Sequence, residues 1–101
     1  MTAAADEAPS RRLDKWLWCA RRFRTRSLAA KFVCDSGVRV TREGAVQRVD
    51  RPAFLLREGD TVSFVIGERF IALSVRAFAD RRGPPAAARA LFAEDKADAP
   101  A

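Results

Sequence analysis

The sequence predicts an α+β domain: two packed N-terminal helices against a small, mainly antiparallel sheet, plus a short C-terminal helix. Three observations predict it. Between Arg12 and Asp35, apolar residues recur at helical spacing with one short break. After Ser36-Gly37 the period falls to two, in segments separated by turn residues. Near the C-terminal end, Pro84-Pro85 leads into an alanine-rich stretch suited to a helix.

The elements follow in order. Leu13, Trp16, Leu17 and Ala20 share one face of a first helix, expected from about Arg12 to Phe23. Ser10 is its expected N-cap, and Asp14 suits its positive end. Arg24 and Thr25 make the turn, with Thr25 placed to cap a second helix over about Arg26 to Asp35. Leu28 and Phe32, with Ala29 and Val33, form its core stripe. Gly37 suits the left-handed stop.

Val38 and Val40 then alternate with Arg39 and Thr41, a half-buried strand with a basic outer face. Arg42-Glu43-Gly44 reads as a turn and Ala45 to Val49 as the returning strand. Pro52 ends it or lies at an edge. After the turn Arg57-Glu58-Gly59-Asp60, Thr61 to Ile66 and Phe70 to Phe78 pair as a hairpin across Gly67-Glu68. Val62, Phe64 and Ile66 face inward from one strand, and Ile71, Leu73 and Val75 from the other. The last helix is expected over about Ala86 to Glu94, docked by Leu91 and Phe92.

A chain of 101 residues carries one domain by default. The expected organisation is a disordered leader at 1–10, the principal domain at 11–78, a loop and helix at 79–94, and a fraying tail at 95–101. The leader, MTAAADEAPS, is acidic and has no apolar stretch, so it does not read as a signal peptide. No apolar run approaches the roughly 20 residues that span a bilayer. Cys19 and Cys34 form no CxxC pair and read as small buried hydrophobes in a reduced, cytoplasmic setting.

Charge is the informative feature. The net charge is +6, yet residues 11–51 hold twelve Lys/Arg against four Asp/Glu. Eight of those cations fall between Arg11 and Lys31, with Asp14 the single acid among them. Arg12, Lys15, Arg21, Arg22, Arg24, Arg26 and Lys31 would thus be displayed on a packed scaffold, and Arg39 would continue the array onto the strand. A dense, rigid array of cations suits phosphate, so nucleic acid is the leading partner. The cations sit on the first helix, the turn and the start of the second helix. That layout resembles a wall against a backbone more than a probe helix in a groove. The chain has no Asn and a single Gln, the side chains that read adenine. Shape and phosphate recognition, the habit of structured-RNA binders, is therefore favoured over DNA base reading. Trp18 is expected either to pack beneath the cationic stems or to offer a stacking surface for a base.

Catalysis is not expected. Histidine is absent, and no phosphate loop, triad or paired carboxylates appear. Two separated cysteines cannot make a structural zinc site, and no metal or cofactor is implied.

The segments RLDKWLWCARRFRTRSLAAKFV, SGVRV, RVDRP and REGDTVSF resemble the RNA-binding domain named after small-subunit ribosomal protein four, the alpha-L motif. RLDKWLW with the following R-x-x-x-T-R-S, and later RRGPPAAARALF, looks most like the bacterial fifteen-kilodalton heat-shock group, whose members associate with ribosomes. The likeness covers residues 11 to 92. It implies a two-helix and small-sheet fold that grips structured RNA, typically ribosomal RNA. For the group it further implies binding to the large subunit while a stalled nascent chain and its tRNA remain. By motif match it places Arg12, Lys15, Arg21, Arg24, Thr25, Arg26 and Ser27 on the RNA, with Arg39 extending the set. The usual Asn-Gly hairpin is replaced here by Thr41-Arg42-Glu43-Gly44, and a short acidic tail stands where the group commonly has a longer basic one. The expectation is a non-catalytic, monomeric RNA-binding protein. The alternatives are a small DNA-binding regulator or an RNA-affinity subunit of a separate enzyme.

Overall fold

A computed structural model describes residues 11–94. The leader, its proposed N-cap Ser10 and the tail from 95 lie outside the described residues. The chain opens with a two-residue strand, β1 (Arg11–Arg12), that runs directly into helix α1 (Leu13–Cys19). Helix α2 (Arg26–Ser36) follows, then β2 (Val38–Arg42), β3 (Ala45–Val49), β4 (Leu55–Leu56), β5 (Thr61–Ile66) and β6 (Arg69–Val75). A one-turn helix, α3 (Pro85–Arg89), and a last strand, β7 (Phe92–Glu94), complete it. Five strands form one sheet in the order β3-β2-β5-β6-β7, every neighbour antiparallel, and β1 pairs with β4 apart from it. The fold is the expected α+β arrangement of helices packed against an antiparallel sheet.

α1 is shorter than its periodicity suggested, and its end shows why. Arg21 adopts a left-handed backbone, φ 61°. The Arg22 amide donates to the Leu17 carbonyl at 3.0 Å and the Arg21 amide to Trp18 at 2.9 Å. That crossed pair of bonds is a Schellman stop with arginine where glycine is usual. Arg82 completes the cap from a distant loop: Nε donates to the Trp18 carbonyl at 3.1 Å and Nη2 to Phe23 at 3.3 Å. A second, charged donor thus reaches the Trp18 carbonyl, and the same side chain ties down the turn at Phe23.

α2 begins as its sequence indicates. The Thr25 Oγ1 accepts from the Leu28 amide at 3.0 Å, the N-cap bond. It ends at Gly37, whose φ of 76° strains any other residue, and a Cβ there would also displace the Arg48 guanidinium. The buried stripe is Ala29 and Val33, flanked by half-buried Phe32, while Leu28 is 46% exposed. Ala29, Val33 and Phe32 hold the expected core positions, and Leu28 lies beyond the edge of the buried face, which is centred on Ala29 and Val33. Cys34, expected inside, is exposed for the same reason, whereas Cys19 is buried.

The core lies between the helices and one sheet face: Leu13, Trp16 and Leu17 from α1 meet Val38, Val40, Val62 and Leu73. Trp16 Nε1 donates to the Ala77 carbonyl at 3.1 Å, so the buried ring leaves no polar atom unpaired. Phe23, Phe32 and Phe64 pack with ring centroids 5.3–6.3 Å apart and fasten the inter-helix turn onto the sheet.

Other differences concern strands. Arg42 belongs to β2 rather than to the turn, which is Glu43-Gly44. β6 stops at Val75, before Phe78, and Ile66 at the hairpin tip is exposed instead of inward. The C-terminal helix ends at Arg89. Leu91 is buried as expected, but the residues after it extend and join the sheet through Val75↔Phe92. Pairing with a free sheet edge outweighs the alanine propensity there.

Candidate nucleic-acid interface

Asp14 organises the basic residues at the start of α1. It sits in the first helical turn, where the positive end of the helix favours a carboxylate, and its side chain is 4% exposed. Arg12 donates from Nε to Oδ1 at 3.2 Å and from Nη2 to Oδ2 at 3.1 Å. Arg26, the first residue of α2, places Nη2 3.6 Å from Oδ1. Both arginine side chains stay open to solvent, 48% and 41%. One buried carboxylate therefore fixes two half-open guanidiniums, and the cluster remains cationic. Lys15 is half-buried on the same helix, and Arg24 and Ser27 are exposed at the turn. Neither Lys15 nor Arg24 has an ion pair or hydrogen bond among the described residues. Thr25 caps α2 through its oxygen, which leaves its hydroxyl proton available to a phosphate.

The remaining site residues are placed differently. Arg21 Nε donates to the Gly83 carbonyl at 3.2 Å. Arg22 pairs with Glu94 at 3.1 Å and lies over the Phe92 ring, 5.2 Å from its centroid. These two cations brace the C-terminal segment. Lys31 pairs with Asp35 at 3.0 Å, one turn on, and that hydrogen bond raises its pKa above the ordinary 10.5. Arg39 is exposed on β2 between buried Val38 and Val40, so strand alternation puts it on the helix-free face of the sheet. It is near Ser36-Gly37, about 16 Å along α2 from Arg26. The structure thus gathers Arg12, Lys15, Arg24, Thr25, Arg26 and Ser27 at one end and leaves Arg39 at the other. Trp18 is half-buried, and it is its backbone carbonyl that Arg82 engages.

Two further cations, Arg51 and the turn residue Arg57, stand close to this end. The loop carrying Arg51 and Arg57 is tied to the start of α1: the Leu13 amide donates to Phe54 at 2.8 Å and the Asp14 amide to Pro52 at 3.1 Å. Around a shallow depression lined by Phe54 and Leu55, Arg51 and Arg57 are exposed and their side chains unpaired among the described residues. Arg42, on the same rim, is neutralised by buried Asp60 at 2.9 and 2.8 Å and lies over Phe54. The pairing of β1 with β4 delivers this loop, and two-residue strands leave no periodic signal.

Among the described residues no group of three or more His, Cys, Asp or Glu could hold a metal ion, and no helix is long and apolar enough to cross a membrane. Burial pushes the Cys19 thiol above its ordinary 9.0, against the nearby cations Lys15, Arg26, Arg82 and Arg11. That is the opposite of an activated nucleophile.

No family model matches the chain. Heat shock protein 15 of Escherichia coli K12 is 34% identical over 83 residues, 82% of this chain. The proteins of that name from strains O157:H7 and O6:H1 match to the same extent. The solved structure of Vibrio cholerae heat shock protein 15, described as trimeric, superposes with a TM-score of 0.77 at 30% identity, covering 89% of this chain and 86% of that one. The chain belongs to the heat shock protein 15 family. The match spans 59% of the length of the Escherichia coli proteins. Shared fold over nearly the whole Vibrio chain means that the Asp14-centred cluster sits on a heat shock protein 15 scaffold and not on a lone helix pair.

Proposed function

We propose that this member of the heat shock protein 15 family is a non-catalytic RNA-binding protein that grips structured RNA, ribosomal RNA of the large subunit above all, through the α1–turn–α2 end. The observation that carries the reading is the arrangement around Asp14. Arg12 and Arg26 are held in place by a buried carboxylate, while Lys15 and Arg24 beside them have no partner within the described residues. Fixed cations lose little conformational entropy on meeting phosphate, and unpaired ones break no existing bond. Ser27 and the Thr25 hydroxyl add neutral donors. Arg51 and Arg57 extend the surface. Arg21, Arg22 and Lys31 stand at its margin, already engaged. The large-subunit role draws on the family, and a tRNA held there is a second RNA surface of the same chemistry.

A DNA-reading alternative needs a cationic α2. Of its two cations, Arg26 is the first residue of the helix, within the α1–turn–α2 cluster, and Lys31 pairs with Asp35, so the length of the helix carries no row of open cations for a groove.

Neutralising Lys15 and Arg24 together to Gln tests this, with Arg76→Gln plus Arg89→Gln as a control of equal charge change. If five to seven phosphates are contacted, log K for a ribosomal RNA fragment falls with log salt at a slope of about −4 to −6. The Lys15/Arg24 variant flattens that slope by about 2, while the control leaves it nearly unchanged. Equal losses from the two variants, or duplex DNA displacing the RNA at matched salt, contradict the assignment.

A further inference from the structure

We propose that the cleft between β2 and β5, at the C-terminal end of α2, takes one unpaired nucleobase of the bound RNA. The proposal rests on the RNA-binding reading and adds a second, separate subsite to it. Pairing of β2 with β5 stops at Arg39↔Ser63, whereas β2 continues along β3 to Val38↔Val49 and β5 along β6 to Ile66↔Arg69. β2 begins only one residue beyond that pair, so the β5–β6 hairpin overhangs the sheet where α2 enters it through Gly37, and a cleft of about 260 Å³ lies there. That lies below the roughly 300–1,000 Å³ of drug-sized ligand sites, a size for a single ring system.

Its walls differ in chemistry. Phe32, Phe64 and Phe70 line it, and Phe70, 42% exposed at the hairpin, stands beside 54% exposed Val65, its cross-strand partner. An aromatic ring left open in this way is a stacking platform for any base. The end of α2 forms another wall, and its carbonyl pole favours donors such as base amino groups over phosphate. Arg48 is occupied there, donating to the Ser36 carbonyl at 3.3 Å and to Asp50 at 3.4 Å. Arg39, also on the cleft, has no partner among the described residues. A base inside and its phosphate on Arg39 satisfy both the carbonyl end and the free guanidinium. Arg39 thereby gains a role of its own, away from the helical cluster.

Two hairpin RNAs test this with the full chain, one fully paired and one carrying a single bulged nucleotide. The wild type binds the bulged hairpin more tightly. Phe70→Ala removes that preference, a loss of about 5–100-fold confined to the bulged RNA, in line with the removal of one base stack. Phe70→Leu, which keeps the apolar packing, loses it as well. Equal binding of both hairpins by the wild type, or equal effects of Phe70→Ala on both, overturns the cleft assignment while leaving the helical interface standing. Failure to bind either hairpin overturns both. A change of association state in Phe70→Ala by sedimentation, with RNA preference intact, assigns the cleft to a second copy of the chain and overturns the proposal.

Discussion

Asp14 has a structural duty and a functional one. It is buried, it faces Arg12 and Arg26, and its amide is bound to Pro52. Replacing either arginine with Ala leaves the other in place and costs about 1 kcal/mol or less, since both are half-open. Replacing both leaves a buried carboxylate without a counter-charge. We expect that double variant to lose about 2–3 kcal/mol in urea unfolding, more than the two single changes combined. Arg21 makes the opposite point, because its side chain is useful while its backbone is strained. Arg21→Gly removes a left-handed penalty of about 1–2 kcal/mol, partly offset by the greater freedom of glycine in the unfolded chain and by loss of the exposed bond to Gly83. Its unfolding free energy should equal or exceed that of the wild type, whereas β-branched Arg21→Val should fall below it. The two cysteines also separate. Cys34 should react with a maleimide in the native state and Cys19 only on unfolding. Because the folded pKa of Cys19 is raised, its contribution to stability is present below the unfolded value of 9.0 and is lost as pH climbs above it.

At the scale of elements, the aromatic trio of Phe23, Phe32 and Phe64 determines where the α1–α2 turn rests. Phe64→Ala removes the shared neighbour of the other two rings and should cost about 3–5 kcal/mol by chemical denaturation. Arg82→Ala withdraws two charged donors from the end of α1 and should cost about 1–2 kcal/mol. Helix α2, the two hairpins β2–β3 and β5–β6 and the two-helix-plus-sheet class were legible in the sequence. Each carries a strong period bounded by a capping or turn residue: Thr25 before α2, Gly37 after it, Gly44 and Gly67 in the hairpins. What escaped was decided by distant contacts. The premature end of α1 depends on a loop some sixty residues away, β7 on an open sheet edge, and β1 and β4 on each other. On α2 the expected core residues Ala29 and Val33 are buried, and only Leu28, 46% exposed, was misplaced. The site was legible in the same uneven way. Composition identified the cations, but only the fold separates those pinned by Asp14 or left free from those spent on Gly83, Glu94 and Asp35. Arg51 and Arg57 carried no signal because their nearness to α1 is a matter of loop geometry.

Over the whole molecule, the positive charge is gathered into residues 11–51, and the fold concentrates it further, toward the end where α1 starts, α2 starts and the 51–57 loop returns. Association with RNA should accordingly be fast at low ionic strength and fall steeply with added salt, while fold stability changes little over the same range. The opposite end of α2 sets a carbonyl pole and an open cleft beside Arg39, the place proposed for a base and its phosphate. Amide shift mapping by nuclear magnetic resonance, with a large-subunit ribosomal RNA hairpin titrated into the full chain, tests the central claim most directly. The account predicts that the strongest shifts fall between residues 12 and 27, with a second group at 51–57. Shifts confined to α3, β7 and the outer end of β6, with 12–27 unmoved at saturation, would contradict it.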